Sequence, residues 1–198
     1  MQKRLSRESR RRLLLDAAVE FIKVKGVEAL TLTSLAKYAK TSKPLVYDHF
    51  SSNEGLLIEL CHEFDARQRA EISALVSDDK MSLKGLLFAV AHSYIASETA
   101  RDWQKLSAVM VVNTMTAAVS HELSGNHIRM LMSAIGPRTA MKTEKLRIIC
   151  AGLIGSADAI TANVLRGGTD IEAAAAALFH IFHGSFPDEV GDKPGTNH

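Results

Sequence analysis

TLTSLAKYAKTSKPLVYDHFSSNEGLL, residues 31–57, reads as two short helices, a tight turn between them and the start of a longer helix. Leu32, Leu35, Ala36 and Ala39 recur at helical spacing and share one buried face. Thr31 precedes that run and suits a cap, its hydroxyl accepting from an orphan backbone N–H. Ser42, Lys43 and Pro44 interrupt the helix, and Lys43, standing before proline, is expected to leave helical geometry. Pro44 suits the first turn of a second helix, where its missing N–H costs little. That helix is expected over 44–50, with Val46 and Phe50 facing inward. Lys43, Leu45, Tyr47, Asp48 and His49 cover the rest of its surface. Ser51, Ser52 and Asn53 then offer new caps, and Leu56, Leu57, Leu60 and Phe64 begin another apolar stripe.

A short helix, a turn and a second short helix with a polar outer face form a helix-turn-helix, which sets its second helix in the major groove of DNA. The residues also resemble the tetracycline-repressor (TetR) family. The family pattern runs Thr31, Leu35-Ala36, Ser42, Tyr47-Asp48-His49-Phe50 and Glu54-Gly55-Leu56-Leu57, in order and without a gap. The resemblance covers about residues 10–60; beyond it only length and helical character match.

That resemblance implies a sequence-specific DNA-binding regulator of transcription, most simply a repressor released by a small-molecule effector. Thr33 and Ser34 stand near the start of the first motif helix, where hydroxyls meet phosphates. Lys43 leads the recognition helix, within reach of a phosphate or of guanine O6 and N7. Leu45 suits a thymine methyl, and Tyr47 and His49 match family positions that contact the DNA backbone. Ser42 and Pro44 at the turn, with Arg7 and Arg10 upstream, complete the candidate set. Two departures from the family pattern stand out. Pro44 replaces a common glycine, and Asn53 replaces a common lysine that contacts phosphate. Asp48 must meet a cytosine amine or turn away, because phosphates repel it.

The charge distribution agrees with a polyanion partner at this end. The chain of 198 residues has a net charge of +2, but residues 1–50 carry +6 and the remainder −4. Two cysteines, Cys61 and Cys150, lie apart in apolar helical stretches without Cys-x-x-Cys spacing, which argues against a disulfide framework or a zinc module. Leu13-Leu14-Leu15 is cut short by Asp16, so no signal peptide is read. No apolar run is expected to reach the roughly 18 residues of a membrane span. A cytoplasmic protein without membrane contact is therefore expected.

No strand pattern appears, and the fold class expected is all-α. An N-terminal helix-turn-helix domain with a basic arm is expected over 1–52. A helical effector-binding and dimerisation domain follows over 53–186, and a mobile tail over 187–198. Helices are expected over 9–25, 53–76, 82–98, 102–113, from about 116 to 135, 143–165 and 170–185. By family resemblance the last two pair with those of a second subunit. Leu153, Ile160, Val164, Ala174, Leu178, Ile181 and Phe182 are the candidate contacts for this homodimer. The alternative is that they form only an intramolecular core. A palindromic double-stranded operator would follow from the two-fold axis.

The middle helices supply Phe88, His92, Tyr94, Trp103, Met110, Asn113, Met115, His127, Met130 and Met132. Methionine fills irregular space and tolerates varied ligand shapes. His92, Trp103 and Met110 are the effector-binding candidates among them. His180 and His183 have a spacing that suits zinc but lack a fixed third ligand, so no metal and no cofactor is expected. No phosphate loop, His-Glu-x-x-His or nucleophile elbow occurs, which argues against the rival reading of a small helical enzyme. An activator, or a regulator that answers to a protein, remains open at this point.

Overall fold

Hydroxyls and one carboxylate set where most of the helices begin. The computed structural model describes residues 6–77, 80–97 and 114–186, and all regular structure among them is helical. In chain order these are α1 (Arg7–Lys25), α2 (Leu32–Tyr38), α3 (Lys43–Phe50), α4 (Asn53–Val76), α5 (Leu83–Ala96), α6 (Thr114–Ile135), α7 (Thr143–Leu165) and α8 (Ile171–Gly184), with a 3-10 turn at Gly136–Arg138. Ser6, Thr31, Ser52, Ser82 and Asp170 each accept from the backbone N–H three residues on, opening α1, α2, α4, α5 and α8. The expected helix over 102–113, with Trp103 and Met110, lies outside the described residues. So does the tail over 187–198.

Two boundaries differ from expectation. The recognition helix starts at Lys43, and the extended residue is Ser42, with ψ 143°. Proline at the second helical position restrains the chain without expelling the residue before it from the helix. α6 runs unbroken through Gly125, because one glycine costs a helix only about 1 kcal/mol.

Two apolar cores stack along α4. Leu14, Ala18 and Ile22 of α1, Leu35 of α2 and Val46 and Phe50 of α3 close on Leu56, Leu60 and Phe64 in the first half of α4. Ile72, two turns further on, packs instead with Leu86 and Val90 of α5, Ile135 of α6, Leu153 of α7 and Phe182 of α8. Phe64 and Phe182 are each essentially enclosed, and each burial contributes about 1.5–3 kcal/mol. Leu123 of α6 crosses the divide and joins the first core.

A charged strap also ties α1 to α4. Arg12 Nη1 lies 2.8 Å from Glu63 Oε2, Arg67 Nε 2.6 Å from Glu63 Oε1, and Arg67 Nη2 3.0 Å from Asp16 Oδ1. Arg11 pairs with Glu59 one turn earlier. The Glu63 side chain is only 11% exposed, so salt screens its two pairs less than the outer ones.

The last two helices correct two expectations. α7 is long and apolar enough to cross a membrane, with a mean hydropathy of 1.7 over its best window. The short polar residues within it, Ser156, Thr161 and Asn163, had masked that run. Leu146, Cys150, Leu153, Ile154 and Ala157 bury one side of it in the second core, yet only 22% of the window is buried. The candidate contacts between subunits also divide. Leu153, Ala174, Leu178 and Phe182 are buried inside this chain, so a partner cannot reach them. Ile160 and Val164 are half-buried, and Ile181 is 44% exposed. Both faces of these helices are apolar, and periodicity alone cannot say which one faces the chain's own core.

Candidate nucleic-acid interface

α2 is fixed at its start by reciprocal bonds. Thr31 Oγ1 accepts from the Ser34 N–H at 3.0 Å, and Ser34 Oγ accepts from the Thr31 N–H at 2.8 Å. Ser34 Oγ also donates to the Ala29 carbonyl at 2.8 Å. Its hydroxyl is thus committed to the fold, whereas Thr33 beside it is exposed. Asn53 has a structural task as well: its Oδ1 accepts from the Leu32 N–H at 2.8 Å. The asparagine that replaces a phosphate-binding lysine thus joins the start of α4 to the start of α2.

The turn closes through the Thr41 N–H, which donates to the Ala36 carbonyl at 2.9 Å. Lys40 takes the left-handed conformation there, with φ 50°, and is exposed. Sequence reading passed over this cation because its backbone geometry is set by the turn, not by its side chain. α3 then buries Val46 and Phe50 and presents Ser42, Lys43, Pro44, Tyr47 and Asp48 to solvent, with Leu45 and His49 half-buried. Tyr47 is 49% exposed. These residues therefore make up the outer face of α3.

Two members of that face are already engaged. Arg7 Nη2 donates to the Asp48 carbonyl at 3.0 Å and lies 3.5 Å from Asp48 Oδ2. α1 thereby clasps the end of the recognition helix, and Asp48 offsets the cation expected to meet phosphate. Arg10 has no such partner among the described residues. His49 Nδ1 is enclosed without a partner. Dehydration first, then the Arg7 charge, hold its pKa below the ordinary 6.5. His49 stands neutral and offers a phosphate an N–H, not a charge.

Asp48→Asn should remove the repulsion and free Arg7 for a phosphate. Affinity for any duplex should rise several-fold, and the salt slope should steepen by about one. A salt titration with random-sequence duplex checks this; an unchanged slope would leave Arg7 outside the DNA contact.

The sequence model for bacterial regulatory proteins of the tetR family matches residues 14–60, the span from α1 into α4. That segment of the chain is similar to the DNA-binding part of tetR-family regulators. The match marks the motif helices as the DNA-binding unit of a regulator of transcription. No curated protein sequence matches the chain. Solved structures with the same fold include a TetR-family transcriptional regulator from Rhodococcus sp., 18% identical, with a TM-score of 0.72 over 89% of this chain and 98% of that one. The fatty acid degradation regulator FadR from Bacillus halodurans is 17% identical, with a TM-score of 0.68 over 87% of this chain and 97% of that one. The multidrug binding protein EbrR, complexed with ethidium, is 20% identical, with a TM-score of 0.65 over 87% and 97%. At these identities the likeness is one of fold.

Of the effector candidates only His92 is described. It lies exposed on α5, with Nε2 3.9 Å from Glu172 Oε2 of α8 and its ring 6.1 Å from that of Phe88. Tyr94 and His127, two other residues of the middle helices, are buried instead, together with Asp65 and Gln68 of α4. Sequence reading missed the α4 pair because Asp65 and Gln68 sit among charged neighbours and look like solvated surface.

Proposed function

We propose that this regulator is a homodimeric repressor that holds a palindromic operator and releases it when a small molecule enters the second core. Its place of action is the cytoplasm, where the DNA is. The functional division is a DNA-reading unit over 1–52 and an effector and dimer unit over 53–186, hinged on α4. The observation that carries this is α4 itself: its first half belongs to the core of the reading helices and its second half to the core above. The ion-pair strap and Leu123 add two more links across the same divide. EbrR, a multidrug binding protein of the same fold held with ethidium, supports a small-molecule effector.

Thr33, Ser42, Lys43, Pro44, Leu45, Tyr47, His49 and Arg10 form the proposed DNA contact, with Arg7 joining once it leaves Asp48. Ser34 acts through the cap of α2. The exposed residues of α7 and α8 form the proposed dimer face: Ile148, Gly152, Gly155 and Ala159, with Ala177 and Ile181. An effector shifts the protein only by its differential affinity for the released state, so operator must weaken effector binding by the same factor.

A duplex selected by the wild-type protein from a random pool tests the DNA half of this reading. Lys43→Ala and Tyr47→Ala should each weaken binding about tenfold with the fold intact, and Lys43→Ala should lower the salt slope by about one. Wild-type affinity in both variants would remove α3 from the interface.

A further inference from the structure

The second core holds polar atoms that the fold leaves open. Asp65, Tyr94 and His127 are 3%, 6% and 7% exposed. Asp65 Oδ1, Tyr94 Oη and His127 Nε2 each lack a hydrogen-bond partner. The three residues come from α4, α5 and α6. The Tyr94 and His127 rings lie 5.4 Å apart, and His127 Nδ1 is 3.2 Å from Asp65 Oδ1. An unsatisfied buried polar atom costs about 1–3 kcal/mol. Three in one place call for an occupant with matching groups.

The protonation pattern defines that match. Burial holds the His127 pKa below 6.5, so the ring is neutral. Nδ1 lies 3.2 Å from the Leu123 carbonyl as well as from Asp65. With acceptors on that side only, the one ring proton belongs on Nδ1, and Nε2 presents a lone pair. Asp65 accepts only; its Oδ2 takes the Arg69 Nε–H at 2.8 Å, and that guanidinium offsets its charge. Burial keeps the Tyr94 phenol protonated, and the nearby Asp158 and Asp65 charges push in the same direction. Asp158 of α7 is itself exposed to solvent, yet the surrounding protein raises its carboxyl to about 6. No cation among the described residues pairs with it.

We propose that Asp158, Tyr94, His127 and Asp65 form the effector-recognition site, and that it takes an aromatic cation bearing N–H donors, such as an amidinium or arylammonium. This rests on the reading of the second core as the effector unit. The acceptors at Asp65, His127 and Tyr94 receive the N–H groups, Asp158 supplies the opposing charge, and the apolar side chains of the second core take the ring. The nearby groove between α4 and α6 is lined by Arg69 and Arg129 and has the wrong sign for such a ligand. His127 lies one helical turn from Leu123, whose side chain sits in the DNA-reading core. A ligand that draws His127 toward itself therefore moves α6 where it touches the reading unit.

Calorimetric titration of the full chain with benzamidinium, tryptammonium and proflavine, against benzoate and indole-3-acetate, tests the proposal. At least one cation should bind and neither anion should. Asp158→Asn should weaken that cation at least tenfold. Tyr94→Phe should weaken it several-fold while leaving thermal stability equal or higher, since the hydroxyl it removes has no partner. Binding by no cation, preference for an anion, or full affinity in both variants would overturn the proposal. The same ligands are added to the complex with the selected duplex. An anion that releases DNA would sink the cation assignment and keep the effector reading; a cation that binds at Asp158 without changing DNA affinity would keep the site and sink the regulatory reading.

Discussion

Gly55→Ala is expected to lower the unfolding free energy by about 2–4 kcal/mol and to abolish detectable operator binding at concentrations that saturate the wild type. A Cβ at position 55 would stand 2.3 Å from the Phe50 carbonyl oxygen. That oxygen also accepts from the Ser52 N–H at 2.6 Å, so it cannot swing aside without opening the corner between α3 and α4. The Gly55 N–H itself donates to the Ser52 cap at 3.0 Å. The methyl group would therefore push the end of the recognition helix away from the start of α4 at their only covalent joint. Urea unfolding measures the loss. Gly125→Ala in α6 is the control: its Cβ would meet only the Arg129 guanidinium at 3.6 Å. It should gain about 0.5–1 kcal/mol from helix propensity. Equal stability of Gly55→Ala and wild type would mean that the corner is not the rigid joint described.

The second large effect is expected at the proposed dimer face of α7 and α8. Gly155→Glu should raise the dimer dissociation constant at least a hundredfold, about 3 kcal/mol, by placing an unpaired charge in a contact that excludes water. The protomer has room for it, since a Cβ at Gly152 or Gly155 meets nothing within 4 Å. Replacing a mid-helix glycine should even strengthen the isolated fold slightly. Loss of the dimer with unchanged or raised protomer stability therefore separates an interface from a core. Leu178→Glu would not separate them, because Leu178 is already fully enclosed in its own chain. Sedimentation across a concentration series reads the outcome, and a dimer as tight as wild type would place the contact elsewhere.

The contrast between Gly155 and Leu178 shows what the sequence could carry. Helix positions were legible because caps and apolar spacing are local: Thr31, Ser52 and Asp170 announce starts that depend on no distant residue. The exposed face of α3 was legible for the same reason, since Val46 and Phe50 fix which side is buried. α7 and α8 are apolar around most of their circumference, and the choice of inward face is made by packing against α5 and α6. Asn53 and Asp65 illustrate the other limit. Each looks like surface beside polar neighbours, and only the fold reveals that one accepts from the Leu32 N–H and the other lies buried beneath Arg69.

In the proposed complex two copies of α3 read adjacent turns of the major groove. Methylation interference at guanine N7, on the duplex selected by the wild-type protein, tests it most directly, because N7 faces only the major groove. Two interference clusters related by a dyad are expected, with centres about 34–36 Å apart or a multiple of that, and the contact nearest Lys43 should be lost in Lys43→Ala. A single cluster, or binding indifferent to N7 methylation throughout the protected duplex, would contradict it.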